Sequence, residues 1–341
     1  MRYLVVRLTS LGSVAMSVPV MWSLSRRYAD NEYVYVAQKD LDALFHGMNN
    51  VHYVRLDVSQ NANAMRRGKA LKALAKTLHN EKPFDAIIDW QSGISTLSVR
   101  LWAMRHGIQV YRCDSTWFRQ RIHILSHGQS VPPPTMIETY MSATAKAGLE
   151  TDSCFQALPI EPSSVKYVKY TFGDKSDGEK WIGIAPFAKS ASNTLPFRTT
   201  KSIIRHYASQ PNTRVFLFGA GMVESEMLNQ WSSIYVNVVS VAGMLSLGCE
   251  LELMRMLDGM ICMDSANQHL ASLVGLRVVT VWGGTTPENG FAGWKQSKEN
   301  FVEPQCSLTC RPCTINGRAR CRKKTFECLT RYTAQQIIGY L

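Results

Sequence analysis

The chain has 341 residues, 45% of them hydrophobic and 19% charged, with a formal net charge of +12 at pH 7. That length suits two domains, the balance excludes a disordered chain, and no apolar run reaches the roughly 20 residues that cross a bilayer. The basic excess favours anionic partners such as nucleotides or acidic lipid head groups, or else a generically basic surface.

The opening MRYLVVRLTS reads as a strand and not as a signal peptide. Nine cysteines without a secretion signal point to reduced thiols and a cytoplasmic protein. A strand over 2–8 is followed by a tight turn at Thr9-Ser10-Leu11-Gly12-Ser13 and a helix over 14–28. Strands over 34–37 and 51–56 flank a short helix over 40–45. Residues 66–79 carry Leu71, Leu74 and Leu78 on one helical face. A strand over 84–89, a helix over 95–106 and a strand over 108–111 complete an alternation that predicts a parallel sheet covered on both faces. Residues 112–134 read as basic and irregular, and 135–149 as a helix. Thus 1–150 is expected to be one Rossmann-like domain and 151–179 an interdomain connection rich in Pro, Gly and polar residues.

The alternation then restarts. Strands are expected over 181–186, 214–218 and 236–239, with helices within 196–210 and over 222–231 and 249–257. Residues 180–330 form the second expected domain, with a cysteine-rich tail, and the last helix falls within 331–341. The fold class is therefore α/β, two Rossmann-like domains facing a central cleft.

Residues 257–287 hold the densest set of polar groups at strand ends. An apolar strand over 259–263 runs into Asp264 and Ser265, either of which can cap the helix that follows. Gly275 stops that helix, and a strand over 278–282 ends in Gly283-Gly284-Thr285-Thr286-Pro287. Ligands bind beyond the carboxyl ends of such strands, where a helix N-terminus offers free N–H groups to an anion. His269 lies one and a half turns into the helix. Taken alone, Asp264 and His269 suit a helix cap and a core histidine better than a diphosphate site with His269 as an added donor.

The run DSANQHLASLVGLRVVTVWGGTTP over 264–287 resembles glycosyltransferase family 9, the lipopolysaccharide heptosyltransferases. Four further segments resemble the family in order: 4–19, 182–188, Phe216-Leu217-Phe218-Gly219-Ala220-Gly221 with Glu224, and Ser240-Val241-Ala242-Gly243. Cys310-Arg311-Pro312-Cys313 is also typical of many members. The resemblance implies a GT-B fold and an ADP-activated sugar donor on the second domain. It also implies an anionic glycolipid acceptor on the first, inversion at the anomeric carbon, no cofactor, and contact with the inner membrane from the cytoplasmic side. Carried over by position, Asp264, Ser265 and His269 match the donor-diphosphate motif, with Thr285 and Thr286 beside it. Glu224 matches the acid that holds the donor ribose, and a carboxylate suits that role because it accepts two hydrogen bonds. Thr9 and Gly12 match the turn that approaches the donor sugar.

Two positions depart from the family pattern. Ser13 stands where the family places an Asp general base, and serine is no base near neutral pH without an activating partner. Asn193 stands where members carry a basic residue that neutralises the donor phosphates. Lys189 is the nearby candidate to replace that cation, and Asp89, at a first-domain strand end, is the preferred substitute base ahead of Asp114. No metal is assigned. Cys310, Cys313, Cys321 and Cys328, with Cys306 nearby, suit a tetrahedral zinc in number but not in regular spacing, and packed thiols explain them as well. Arg311, Arg318, Arg320, Arg322, Lys323 and Lys324 form a basic run that suits anionic lipid or solvent. No basic stretch is interleaved with aromatics in the way nucleic-acid binding requires.

The expected function is inverting sugar transfer from a nucleotide-sugar to a glycolipid in cell-envelope biosynthesis. The alternative is a catalytically impaired relative that binds nucleotide-sugar or glycolipid without turnover. Sugar-nucleotide epimerisation ranks last, because no separate acid–base set is apparent.

Overall fold

Two parallel sheets organise the chain in a computed structural model that describes residues 1–59, 61–305 and 308–341. Two compact units result: Met1–Thr116 with Pro134–Leu158, and Trp117–Pro133 with Pro159–Leu341.

In the first unit, β1 (Arg2–Val6) leads into two short helices, α1 (Leu11–Ala15) and α2 (Val18–Arg27), where one was expected. Pro19 explains the break: lacking an N–H, it is tolerated in the first helical turn and not in the interior, so it opens a new helix. Strands β2 (Glu32–Ala37) and β3 (Val51–Arg55) follow, joined by a 3-10 turn at Asp42–Phe45. Next come α3 (Ala64–Glu81), β4 (Ala86–Asp89), α4 (Ile94–Arg105) and β5 (Gln109–Arg112). The sheet order is β3-β2-β1-β4-β5, all parallel. Leu4, Val6, Val34, Val36, Leu71 and Ile87 fill the core between this sheet and α3 and α4.

Residues 112–134 are not irregular throughout. Trp117–Leu125 is a helix, α5, and residues 117–133 belong to the second unit. A side chain built at Gly128 would lie 3.3 Å from Cδ of Pro312, so the turn after α5 rests on the cysteine-rich lobe. The chain returns to the first unit at α6 (Met136–Lys146), whose Thr135 and Glu138 form a reciprocal capping box.

The stretch read as a connection also contains a helix. Pro162–Phe172 (α7) starts with Pro in its first turn, ends at Gly173 with φ +81°, and packs on the second unit. There the chain builds β6 (Lys180–Ala185), α8 (Phe197–Ala208), β7 (Thr213–Leu217), α9 (Met222–Ser232), β8 (Val238–Ser240) and α10 (Leu247–Met256). It continues with β9 (Gly259–Met263), α11 (Ala266–Leu273), β10 (Val278–Val281) and β11 (Phe301–Val302). The order β11-β10-β9-β6-β7-β8 is that of a doubly wound dinucleotide-type sheet. Two short helices, α12 (Glu327–Thr330) and α13 (Ala334–Ile338), close the unit, and Ile337 is buried in its core. The Tyr332 hydroxyl ties this tail to the sheet by donating to the carbonyls of Trp282 and Val302 at 2.8 and 3.0 Å.

Candidate active site

Each sheet reverses its order at one place, between β1 and β4 in the first unit and between β6 and β9 in the second. Such a switch point leaves a crevice beyond the carboxyl ends of the two strands. Most of the candidate residues fall at these two places, while Glu224 follows β7, Thr285 and Thr286 follow β10, and Asp114 follows β5.

In the second unit, Asp264 ends β9 and its carboxylate gathers three donors. Gln268 Nε2 donates to Oδ1 at 3.0 Å, while Asn193 Nδ2 and Thr285 Oγ1 donate to Oδ2 at 3.0 and 2.7 Å. Burial pushes the Asp264 pKa up to about 6, against the pull of the Thr285 and Gln268 hydrogen bonds. Asn193 is buried in a 3-10 turn at Ala191–Asn193, and its second Nδ2 hydrogen goes to Thr285 Oγ1 at 3.1 Å. Both amide hydrogens are thus engaged with protein, so Asn193 orders the carboxylate and presents no donor of its own beyond it. Lys189, four residues upstream, is exposed.

The 191–193 turn and the end of β10 approach closely because Gly283 has no side chain. A Cβ there would lie 2.1 Å from the carbonyl oxygen of Ser192 and 2.8 Å from Leu329. The same carbonyl accepts from Gly284 N at 2.8 Å. Arg311 locks the 282–285 turn from the other side. Its guanidinium donates to the carbonyls of Gly283 (2.6 Å) and Thr285 (2.9 Å) and pairs with Glu303 at 2.9 Å. Arg311 is therefore a clamp on the turn and not part of a free basic surface, which leaves Arg320, Arg322, Lys323 and Lys324 as the exposed cations of that run.

Ser265 holds the N-cap position of α11 in extended conformation, yet its hydroxyl makes no capping bond, and Oγ is buried without a partner. The first N–H groups of α11 consequently have no side-chain cap. His269 lies on the buried side of α11, with Nδ1 also unpartnered, and burial lowers its pKa to about 4. It is a neutral imidazole at physiological pH. Thr285 and Thr286 are both buried, Thr286 Oγ1 lying 3.3 Å from Asn289 Oδ1.

At the ends of β7 and β8, a groove of about 820 Å³ is lined by Gly221, Met222, Ser225, Ala242 and Gly243, among others. Glu224 sits at the start of α9, and its Oε2 accepts from Ala220 N at 2.9 Å, which folds the Gly219-Ala220-Gly221 turn.

In the first unit, Gln91 Oε1 accepts from Leu8 N and Thr9 N at 3.2 and 3.4 Å and holds the turn that carries Gly12 and Ser13. Ser13 is buried. Its hydroxyl lies 3.4 Å from Ser10 Oγ, and its carbonyl accepts from Tyr140 at 3.0 Å. Asp89 ends β4. It is wholly buried, its Oδ1 accepts from Gln91 N and Ser92 N, and its Oδ2 accepts from Thr96 Oγ1 at 2.6 Å with Arg100 at 3.4 Å. Burial raises its pKa, but its lone pairs are committed to the 89–96 turn. Asp114 is exposed and paired with Lys146 at 2.6 Å, which holds its carboxyl low.

Cys310, Cys313, Cys321 and Cys328 are free and half-buried, and among the described residues no group of three or more potential ligands is arranged to hold a metal ion. Cys306 lies outside the described residues.

A family model for glycosyltransferase family 9 (heptosyltransferase) matches residues 71–318. The chain belongs to this family. Family members among solved structures superpose over nearly the whole chain. The glycosyl transferase family 9 protein from Veillonella parvula DSM 2008 has a TM-score of 0.75 at 14% identity, covering 99% of this chain and 95% of that one. The E. coli ADP-heptose lps heptosyltransferase II gives 0.68 at 17%, covering 100% and 97%. The E. coli heptosyltransferase WaaC, solved with ADP, gives 0.65 at 15%, covering 100% and 98%. No curated protein sequence matches the chain. The fold is thus GT-B, and the chain is a divergent glycosyltransferase of family 9 type. Three residues of the second-unit site were not singled out in the sequence for the parts they play. Gln268 stands four residues after Asp264, one helical turn on, and that spacing was the available signal. Ser192 carries no local signal, and Arg311 stands out in sequence only within the Cys310-Arg311-Pro312-Cys313 segment and the basic run.

Proposed function

We propose that this chain transfers a sugar, with inversion, from an ADP-activated donor to a hydroxyl of an anionic glycolipid acceptor of the cell envelope. The observation that carries the reading is the uncapped N-terminus of α11 at the second-unit switch point, with Ser265 Oγ buried and unpartnered beside it. Free N–H groups and the helix dipole suit a diphosphate there. Glu224 would take the ribose hydroxyls, and the groove by Met222 the base, to which its exposed side chain offers an apolar face. WaaC was solved with ADP, which supports the choice of nucleotide.

In the reaction the acceptor oxygen forms a bond to the anomeric carbon as the bond to the diphosphate oxygen breaks, and ADP leaves with that electron pair. The acceptor proton needs a base. With Ser13 at the family's base position and Asp89 engaged by its own turn, a phosphate of the acceptor itself is the base this reading assigns. Ser13 and Asn193 also favour a second reading, a protein that binds donor and acceptor without turnover.

Calorimetric titration with ADP tests the donor site. Glu224→Ala is expected to weaken ADP by roughly 10- to 100-fold, the size of losing hydrogen bonds to a charged group. ADP release from ADP-heptose with a phosphorylated lipid acceptor separates the two functional readings. Turnover in the unaltered protein supports transfer, whereas binding without turnover, with activity appearing in Ser13→Asp, supports the second. Absence of ADP binding would remove the common ground of both.

A further inference from the structure

Helix α4 is apolar on both sides. Val99, Trp102 and Ala103 face the core of the first unit, as a packed helix requires. On the opposite side Ile94, Leu97, Leu101 and Met104 stand in solvent, 71%, 45%, 46% and 70% exposed. Their spacing of three, four and three residues puts them in one stripe along the helix. A surface helix normally turns polar residues outward, and one that is apolar all round has something on each side.

Charge identifies the occupant. Helix α3 lies alongside α4, with Ser98 Oγ donating to the Gly68 carbonyl at 2.6 Å. Of the seven Lys and Arg residues in α3 and α4, Arg100 is held by Asp89, while Arg66, Lys69, Lys76 and Arg105 are exposed against a single acid in these helices, Glu81. Two copies of this face would bring like charges together, which disfavours self-association. An anionic bilayer supplies both complements, an apolar interior for the stripe and negative head groups for the cations. No helix among the described residues is long and apolar enough to cross a membrane, so such contact is peripheral.

We infer that the outward face of α4 is a membrane-docking surface, the Ile94–Met104 stripe entering the head-group region of an anionic bilayer. This deepens the glycolipid reading above, since an acceptor anchored in a bilayer has to be met at its surface. The test uses vesicles without any glycolipid, so its outcome is independent of acceptor recognition.

The full chain is sedimented with vesicles of phosphatidylethanolamine and phosphatidylglycerol, and with phosphatidylcholine vesicles as the neutral control. The expected result is binding to the anionic vesicles that weakens with salt. Leu97→Ser/Leu101→Ser is expected to lower it by at least about tenfold while leaving ADP affinity and melting temperature unchanged. Lys69→Glu/Lys76→Glu should remove the preference for anionic over neutral vesicles. The inference is overturned if the wild-type chain does not bind anionic vesicles, or if the serine variant binds like wild type. It is also overturned if sedimentation shows a concentration-dependent dimer that the serine variant abolishes, for then a second copy covers the stripe. ADP binding retained alongside any of these negatives would leave the donor reading standing.

Discussion

Asn193→Ala removes the side chain that, among the described residues, joins Asp264 to Thr285 from outside the β9–β10 unit. Three hydrogen bonds go: the 3.0 Å bond to the Asp264 carboxylate, the 3.1 Å bond to Thr285, and the 3.2 Å bond that its Oδ1 accepts from Ser192 Oγ. A buried bond to a charged group contributes about 1.5–3 kcal/mol and a neutral one about 0.5–1.5 kcal/mol. The expected loss near pH 7.5 is thus about 3–6 kcal/mol, a fall of roughly 6–24 °C for a unit of this size. The loss should shrink at pH 5. Because burial raises the folded-state pKa of Asp264 to about 6 from an ordinary 3.8, the folded protein binds more protons than the unfolded one between those values. Its contribution is greatest below pH 4 and is lost as pH rises through 6. Removing a donor to the carboxylate pushes that pKa higher still, so the variant is penalised most where Asp264 must be ionised. Urea unfolding of wild type and variant at pH 5.0 and 7.5 measures the difference directly. A loss below about 0.5 kcal/mol at pH 7.5, or an equal loss at both pH values, would refute the view that Asn193 supports an ionised Asp264.

His269 should show the opposite slope. Its folded pKa of about 4 lies below the ordinary 6.5, so the stability held at neutral pH is lost as pH falls from 6.5 through 4, by up to about 3 kcal/mol; His269→Phe, followed by urea unfolding at pH 4.5 and 7.5, should remove that acid-side loss. Gly283→Ala should destabilise by about 1–3 kcal/mol or fail to fold, because its Cβ would meet the Ser192 carbonyl at 2.1 Å, and a thermal melt decides it. If diphosphate binds beside Asp264, the added negative charge raises that pKa further, and ADP binding near pH 7 should be accompanied by proton uptake. Calorimetry in buffers of different ionisation enthalpy should find that uptake reduced in Asp264→Asn, and equal uptake in both proteins would contradict the placement.

The fold class was legible because the strand–helix alternation starts twice, at β1 and again at β6, each time with an unbroken apolar run. The 264–287 motif was legible for the same reason: its polar residues stand at the ends of two buried strands, where period and position agree. Helix α5 was not, because three prolines follow it and basic residues punctuate it. Its anchoring residue, His123, looks polar in sequence although it is buried in the structure. Strand β11 has only two residues, too short for any periodicity. The hydrogen bonds that Asp89 accepts from Gln91, Ser92 and Thr96 were not legible, because a strand-end carboxylate looks the same in sequence whether it faces a ligand or caps its own turn. Arg311 and Asn193 were opaque for a further reason. Their partners lie 26–29 and 71–92 positions away, and only tertiary closure brings them together.

Asn193 also bears on how the choice between slow enzyme and binding protein should be framed. A cation at its position would pair with Asp264 and face the donor phosphates at once. The amide takes over the first task and leaves the second undone. The exposed Lys189 is the cation remaining in that loop, and the α11 N-terminus supplies partial charge only. On the proposed reading, a bound donor would meet the α11 N-terminus and that cation. Departing ADP would need more, since it would gain a negative charge as its bond to the sugar breaks. Interactions that strengthen only at that moment act on the rate and not on binding. Loss of a single group of this kind costs about 10²–10³ in turnover. Loss of Asn193's would-be cation alone therefore predicts a slow transferase with near-normal donor affinity. On the same reading, complete inactivity would have to come from the first unit, where among the described residues the side-chain partner of the Ser13 hydroxyl is the Ser10 hydroxyl at 3.4 Å.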